Sequence, residues 1–414
     1  MNEPQTVYKG IKYRIYPNKE QEHFLQQQFG FARFVYNQCL DHTIAVYKEE
    51  KKSLSAFDLS KWFRHEVAPQ HPWIKEMDSI LIGYETQHLK AAYDGFFRRI
   101  KNGEKPGFPK FKKKYGGNKS YTTQHINTNI KVDEEHGFVK LPKISPIRAV
   151  IHRPIEGEIK TATVSQAASG KYFVSFLCKT EATPLEPVNK MVGIDFGIKN
   201  DVAVLSNGEH YEVLKALKKK EKKLAREQRR KSRKQPGSNN MRKQQQKVAR
   251  IHEDVRNTRN YYLHSVSRDI VNNYDFIAVE HLGLAEMLKK DSTQKDEKKA
   301  KSGKKKSKKA QKNIRKAMTD VSIGTLASQI EYKADWAGRV FVKLEKSEPT
   351  NRTCIHCGCV LPPEKAPHGE TWVCPDCGLE NNRRVNSARY ILNRALMPPE
   401  ESEEQESSEN SAEK

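Results

Sequence analysis

The sequence predicts an α/β multidomain chain: an N-terminal β module, read as a small barrel with helices inserted in it, then a second mixed unit carrying a cysteine module. Three observations lead there. Strand-like alternation opens the chain and returns over 137–178, with helical periodicity in between. Beyond residue 190, three strand-like runs in close succession give way to long helical patterns. Two CxxC pairs stand near the C-terminal end. A length of 414 residues accommodates two or three domains.

Residues 7–17 (VYKGIKYRIYP) alternate and are rich in Tyr, Val and Ile, so they read as a strand. Pro17-Asn18 ends it, and Asn18 with Gln21 three residues on has the pattern of a capping box. The helix that follows places Leu25, Phe29, Ala32, Tyr36 and Cys39 on one face. Further helical patterns run over 57–100 and end in HLKAAYDGFFRRIKNG, where Phe96 and Phe97 read as core residues rather than base-stacking ones. Over 105–125, Pro and Gly break regular structure while Lys110, Lys112, Lys113, Lys114, Tyr115, Lys119 and Tyr121 mix cations with aromatics. That mixture suits phosphate neutralisation and base stacking, and equally a solvated basic loop. TATVSQ and KYFVSFLCK, joined by a turn at Gly170, return to strands.

The second unit opens with MVGIDFGIKN, DVAVLSNG and HYEVL, three strands expected to form a meander. Residues 212–272 are helix-like, interrupted at Gln235-Pro236-Gly237. Within them 218–234 carries a net charge of +9, a basic helix that could clamp nucleic acid or simply be solvated. YDFIAVEHLGL reads as a buried strand. From 289 to 316 fourteen Lys/Arg meet three acids with almost nothing to bury, which reads as a flexible low-complexity linker. A helix over 319–337, the strand VFVKLE, the cysteine module and a final helix near 384–396 complete the unit.

Charge narrows the partners. The chain carries +24, and its last sixteen residues carry −6, leaving +30 on the rest. Such an excess suits a long polyanion and argues against a small neutral substrate. No run approaches the roughly 20 apolar residues of a spanning helix, and the start MNEPQTVYKG lacks a signal-peptide pattern. The expectation is a soluble cytoplasmic, nucleoid-associated protein, with the acidic tail disordered.

The strongest local chemistry is Cys354-x2-Cys357 followed, sixteen residues on, by Cys374-x2-Cys377. Two such knuckles present four thiolates to Zn²⁺ tetrahedrally, and with every position filled by protein the metal is structural. His356, Cys359 and His368 read as bystanders, and Cys39 and Cys178 as buried small hydrophobes. Asp195 ends the strand VGIDFG, with Gly197 permitting close approach, and Glu280 ends the apolar run IAVE. A carboxylate ending a buried strand needs a cation or a partner, so the two acids form a plausible divalent-metal pair.

IKYRIYPNKEQ, FGFARFVYNQCL, FPKFKKK, VGIDFGIKN, the Glu280 strand with HLGL, and CxxC…WVCPDCG occur in the order found in the TnpB family of transposon-encoded RNA-guided nucleases, and over about 7–396 this chain resembles that family. The resemblance implies an N-terminal wedge β-barrel over 1–185, with a helical recognition lobe inserted at about 18–130. It further implies an RNase H-like RuvC domain over 186–287 and 318–348 with its last helix at 383–398. A basic flexible linker (288–317), a zinc-ribbon insert (349–382) and a disordered tail (399–414) would make up the remainder. Asp195 and Glu280 match the first two catalytic acids of the family. Where the family has the third, this chain reads NNRRVNSARYI, and the register set by Asn386 and Ala388 puts Arg384 in the acid's place and Asn382 in that of a neighbouring Asp.

A permanent cation there opposes a metal: two unit charges about 4 Å apart repel by roughly 4 kcal/mol at an effective dielectric near 20. Mg²⁺ is therefore expected to bind weakly or not at all. The leading expectation is an RNA-guided DNA binder with a disabled RuvC site, similar to the nuclease-dead TldR-like repressors. The competing readings are an active nuclease using Glu380 as substitute acid, a decayed transposon protein, and a guide-independent zinc protein with general nucleic-acid affinity. Guide RNA and double-stranded target DNA with a short flanking motif are the implied partners. Lys90, Arg98, Arg99, Lys110, Lys112, Lys113, Lys119 and Tyr121 are the candidate contacts, each lysine or arginine also readable as solvated charge.

Overall fold

The computed structural model describes residues 5–114, 119–283, 308–345, 348–367 and 369–397, with the backbone alone over 308–312. Tyr115, His368, most of the expected linker and the acidic tail lie outside the described residues. Two compact bodies emerge: Gln5–Ala182 with Leu224–Glu253, and Thr183–Lys223 with the residues from Asp254 onward.

The first body is built on β1 (Gln5–Tyr16), whose inward Val7, Ile11, Tyr13 and Ile15 are buried, with Lys9 half-buried between the first two. It pairs antiparallel with β7 (Tyr172–Ala182) along nearly its whole length, and near its end with β5 (Ile144–Val150). With β2 (Lys119–Gln124), β3 (Lys131–Asp133), β4 (Phe138–Leu141) and β6 (Glu158–Gln166), the sheet runs β2-β6-β7-β1-β5-β4-β3. A barrel was expected; among the described residues β2 and β3 stand at the two edges of the sheet, with no strand pairing between them. Helix α1 (Lys19–Glu50) starts in the expected capping box, Asn18 and Gln21 satisfying each other's backbone N–H groups. Its Leu25, Phe29, Ala32, Tyr36 and Cys39 are all buried. α2 (Ala56–Trp62) and α3 (Ile80–Lys101) also lie between β1 and β2, separated by a π-helical turn (Phe63–Val67) and two short 3-10 turns that carry Pro69 and Pro72.

In the second body β8 (Met191–Phe196), β9 (Asp201–Leu205) and β10 (His210–Glu212) form the expected antiparallel meander. β11 (Phe276–Val279) lies parallel to both β8 and β12 (Val340–Lys343), giving the order β10-β9-β8-β11-β12. The long helices α4 (Ala216–Ser232) and α5 (Asn239–Asn273) break at the expected Gln-Pro-Gly and contribute residues to both bodies. Leu263, Val266 and Ile270 of α5 share a core with Val192, Ile194 and Ile277. The stretch expected to stay flexible to residue 317 is helical from Lys308, as α6 (Lys308–Val321), because Met318 and Val321 are buried. Ser322, in the left-handed region at φ 57°, then separates α6 from α7 (Ile323–Trp336).

The last helix, α8 (Arg383–Leu396), packs on β8, and comes closest at Gly193. A Cβ on Gly193 would lie 2.0 Å from the Ala388 carbonyl oxygen, so only glycine lets helix and strand approach this closely. That approach positions the site below.

Candidate carboxylate site and cysteine knuckles

Asp195 sits at the end of β8, and the parallel register pairs Ile194 with Val279, so the next position along β11 is Glu280, one residue past the strand. The two expected acids thus emerge side by side at the C-terminal ends of adjacent parallel strands. Burial pushes the Glu280 carboxyl up to about 7; the Asp195 charge adds to this, while the Thr350 hydroxyl (3.2 Å from Oε2) and Arg384 pull it down. Burial also raises Asp195, against the opposing pull of Arg384.

Arg384, in the first turn of α8, lies among these acids. Its Nε donates to Asp195 Oδ2 at 2.5 Å, its Nη2 to the Asp195 carbonyl at 2.8 Å and its Nη1 to the Asp201 carbonyl at 3.1 Å. The Asp201 carboxylate lies 3.5 Å from Nη1. The Arg384 and Asp195 side chains are only 18% and 13% exposed, so the pair is largely withdrawn from water. Gly197 makes the room: a Cβ there would sit 2.7 Å from Arg384 Nη2. The placement runs against the helix dipole, which disfavours cations in a first turn, and the turn holds no acid of its own. Asp195 and Asp201 supply the missing negative charge. Asn382 caps the helix, its Oδ1 accepting from the N–H groups of Arg384 and Val385 at 3.1 Å each.

The competing reading with Glu380 as substitute acid needs an early helix start that would put Glu380 on the face of Arg384. The helix instead begins at Arg383, and Glu380 is exposed on β14 (Glu380–Asn382), opposite Val373 of β13 (Thr371–Val373). Asp201 escaped the sequence reading because nothing local separates it from any other strand-starting acid. Thr350 was missed because a single threonine in a turn carries no local signal.

The four cysteines do come together. A tetrahedral Zn²⁺ with Zn–S near 2.3 Å holds its sulfurs roughly 3.8 Å apart. Cys354 and Cys377 Sγ stand 3.9 Å apart, Cys357 and Cys374 3.6 Å, and all four lie within 4.8 Å of one another, so they could hold a zinc ion. The two knuckles are built alike. Cys354 N–H donates to the Cys359 carbonyl and Gly358 N–H to that of Cys354; Cys374, Leu379 and Gly378 repeat the pattern, with both glycines at positive φ. The N–H of Cys377, acting first among several groups, draws the Cys374 thiol down to about 7. His356 is exposed and Cys359 lies outside the cluster. Asn386 on α8 ties the first knuckle in place, its Nδ2 donating to the Thr353 carbonyl at 2.7 Å and its Oδ1 accepting from Ile355 N–H at 3.0 Å.

The expected nucleic-acid contacts divide. Arg98, Arg99, Lys110 and Lys113 are exposed, and Lys90 pairs with Asp94 at 2.6 Å on the surface. Lys112 is engaged inward, 2.6 Å from the buried Glu85 and over the Tyr36 ring at 4.1 Å, so it pins the basic loop to the helices. Lys119 Nζ donates to Gln26 and Gln166. Tyr121 must be corrected: at 1% exposure against Phe29 it belongs to the core, and no base can reach it. Phe97 must be corrected in the opposite sense. It is 59% exposed, in an aromatic cluster with Tyr93, Phe96 and Phe108 that the end of α3 leaves at the surface.

Comparison with known proteins places this chain. Residues 175–291 match a family model described as "Probable transposase", 1–52 one described as a helix-turn-helix domain, and 324–391 the TNB domain of Cas12f1-like proteins. Over 5–50 the chain forms a strand and one continuous helix rather than two helices joined by a turn. A "Putative RNA-guided DNA endonuclease" of Streptomyces pristinaespiralis is 32% identical over 398 residues, covering 94% of this chain and 89% of that one. The InsQ protein of Escherichia coli K12, with the same description, is 29% identical over 390 residues, covering 93% and 91%. Among solved structures, a mini-RNA-guided endonuclease, CRISPR-Cas_phi3, aligns at 10% identity and a TM-score of 0.43 over 94% of this chain and 92% of its own. The chain belongs to the TnpB-like family of RNA-guided DNA endonucleases. Among the described residues no helix is long and apolar enough to cross a membrane.

Proposed function

We propose that this protein is an RNA-guided DNA-binding member of its family that holds its target without cutting it, and that it represses transcription by occupying DNA. The observation that carries the reading is the Arg384 guanidinium on Asp195 Oδ2. Two-metal phosphoryl transfer needs several carboxylates around a pair of dications about 4 Å apart. Here one oxygen of the first acid is taken by a cation. Among the described residues no third carboxylate or histidine joins Asp195 and Glu280 as a ligand cluster. This donor set does not fit a pair of Mg²⁺ ions, and no cleavage step follows from it. On this reading the second body is a RuvC-like domain, the first a wedge with its recognition lobe, and zinc is structural.

Base pairing with a guide RNA would choose the target, the protein reading only a short flanking motif in the duplex. Arg98, Arg99, Lys110 and Lys113 would meet phosphates, so affinity should fall steeply with salt. A complex that stays bound over a promoter excludes polymerase and keeps the protein on the nucleoid. The test is to purify the protein with its host RNA and present matched duplex DNA in Mg²⁺. Retention of uncut DNA is expected; cleavage would overturn the reading. Exposed on β14, Glu380 gives the active-nuclease alternative no support.

A further inference from the structure

An open cleft of about 620 Å³ lies in the first body, where the end of β1, the β6–β7 turn and the N-terminal part of α5 meet. That is the size range of small-ligand pockets. Its lining combines three kinds of group that rarely coincide by packing alone. Tyr16 offers an aromatic ring that is 43% exposed, backed by the Arg14 guanidinium at 4.5 Å from the ring centroid. Arg250 and Lys171 supply positive charge, Lys171 being steered by Glu253 at 3.3 Å, while Glu22 is the acid at the rim.

Unspent hydrogen-bonding capacity is the third kind. The Ser169 hydroxyl, on a residue only 2% exposed, and the Arg14 Nε are buried with no partner among the described residues. Buried polar atoms are seldom left so. The turn that presents Ser169 is built for close approach: Gly170 sits at φ 88°, and a Cβ there would lie 3.3 Å from Gln246 Nε2 of α5.

A ring backed by a guanidinium is a stacking platform for a nucleobase, and cations beside an unpaired hydroxyl suit a phosphate. We propose that this cleft binds one unpaired nucleotide of a nucleic-acid strand, its base stacked on Tyr16 and its phosphate held by Arg250, Lys171 and Ser169. The site does not depend on the state of Asp195, Glu280 and Arg384, and so it stands or falls separately from the non-cleaving reading.

The test uses the full-length protein freed of RNA, with labelled single-stranded RNA and DNA as probes. Tyr16→Ala should weaken binding roughly 5- to 150-fold with the salt dependence unchanged, since stacking carries no counterions. Tyr16→Phe should restore it. Arg250→Ala should weaken binding and lower the log–log salt slope by about 0.7. Both side chains are exposed, so neither change should alter the melting curve. Competition by nucleoside 5′-monophosphates at low concentration would identify a free mononucleotide as a sufficient ligand; competition only by strands would identify a nucleotide embedded in a chain. Unchanged affinity in both Tyr16→Ala and Arg250→Ala, or inorganic phosphate competing as well as the monophosphates, would overturn the proposal.

Discussion

Two neighbouring regions of the second body, the cysteine knuckles and the carboxylate site, both lean on α8 and differ in every other respect. The knuckles bring four identical ligands from two short turns, and Asn386 holds the first of them to the helix. The carboxylate site draws Asp195, Asp201, Glu280 and Arg384 from separate segments, and the residue contributed by α8 has the wrong sign for a metal. A closed thiolate site depends on local turn geometry, which either is present or is not. An open carboxylate site depends on a balance of charge among side chains from separate segments, and here α8, brought close to β8 at Gly193, contributes a cation to that balance.

The largest effect expected from this contrast is on the knuckles. Structural zinc contributes roughly 10–16 kcal/mol of apparent binding free energy in small zinc domains. Cys374→Ser should therefore abolish stoichiometric zinc measured by elemental analysis, and a strong chelator should lower the melting temperature of the wild type. Full zinc content in Cys374→Ser would show that the four sulfurs are not the site.

At the carboxylates the decisive change is Arg384→Ala. It leaves Asp195 buried beside Glu280 without its cation, and removing one partner of a buried pair costs about 3–5 kcal/mol, here nearer 2–4 because both side chains keep some contact with water. Urea unfolding should show that loss, and Mg²⁺ should recover part of it in the variant while leaving the wild type unmoved. Wild-type stability that rises with Mg²⁺ would mean that the guanidinium does not hold the place of the ion.

The same contrast explains what could be read in advance. Cysteine spacing, the Asn18–Gln21 capping box and the apolar face of α1 are local patterns, and each took the expected form. The strand acids Asp195 and Glu280 were legible because a charge ending an apolar run is costly unless partnered. Asp201, Thr350 and the Tyr16–Arg14 platform were not, since each gains its role from a segment distant in sequence. Tyr121 and Phe97 went wrong in opposite directions because composition counts aromatics without telling which face of a strand or helix turns inward.

A pH titration sharpens the comparison further. The Glu280 carboxyl stands at about 7 in the fold against 4.5 ordinarily. Between those values the unfolded chain has released a proton that the folded one still holds, so stability falls as pH rises through this window. The total is roughly 2–4 kcal/mol at 1.36 kcal/mol per pH unit. Denaturation of Glu280→Gln across the same window should lack this slope, and a variant with the wild-type slope would remove Glu280 as its source.

The smallest expected effect lies at the helix end that serves both regions. Asn382 already caps α8 through its Oδ1, so Asn382→Asp keeps the acceptor and adds a negative charge to a first turn whose charged residues are Arg383 and Arg384. The helix dipole and the two arginines both favour that charge, worth about 0.3–1 kcal/mol at low ionic strength and less as salt screens it. Asn382→Ala removes the acceptor instead and should cost about 1 kcal/mol at any salt. If the variants bracket the wild type at low salt and Asn382→Asp alone drifts back toward it at high salt, capping and charge act at this helix end as separate contributions. If both destabilise, the exposed Asn382 side chain is serving β14 rather than α8, and the helix that orients Arg384 is held from the knuckle side by Asn386 and by Arg383, whose Nε donates to the Gly369 carbonyl at 2.9 Å.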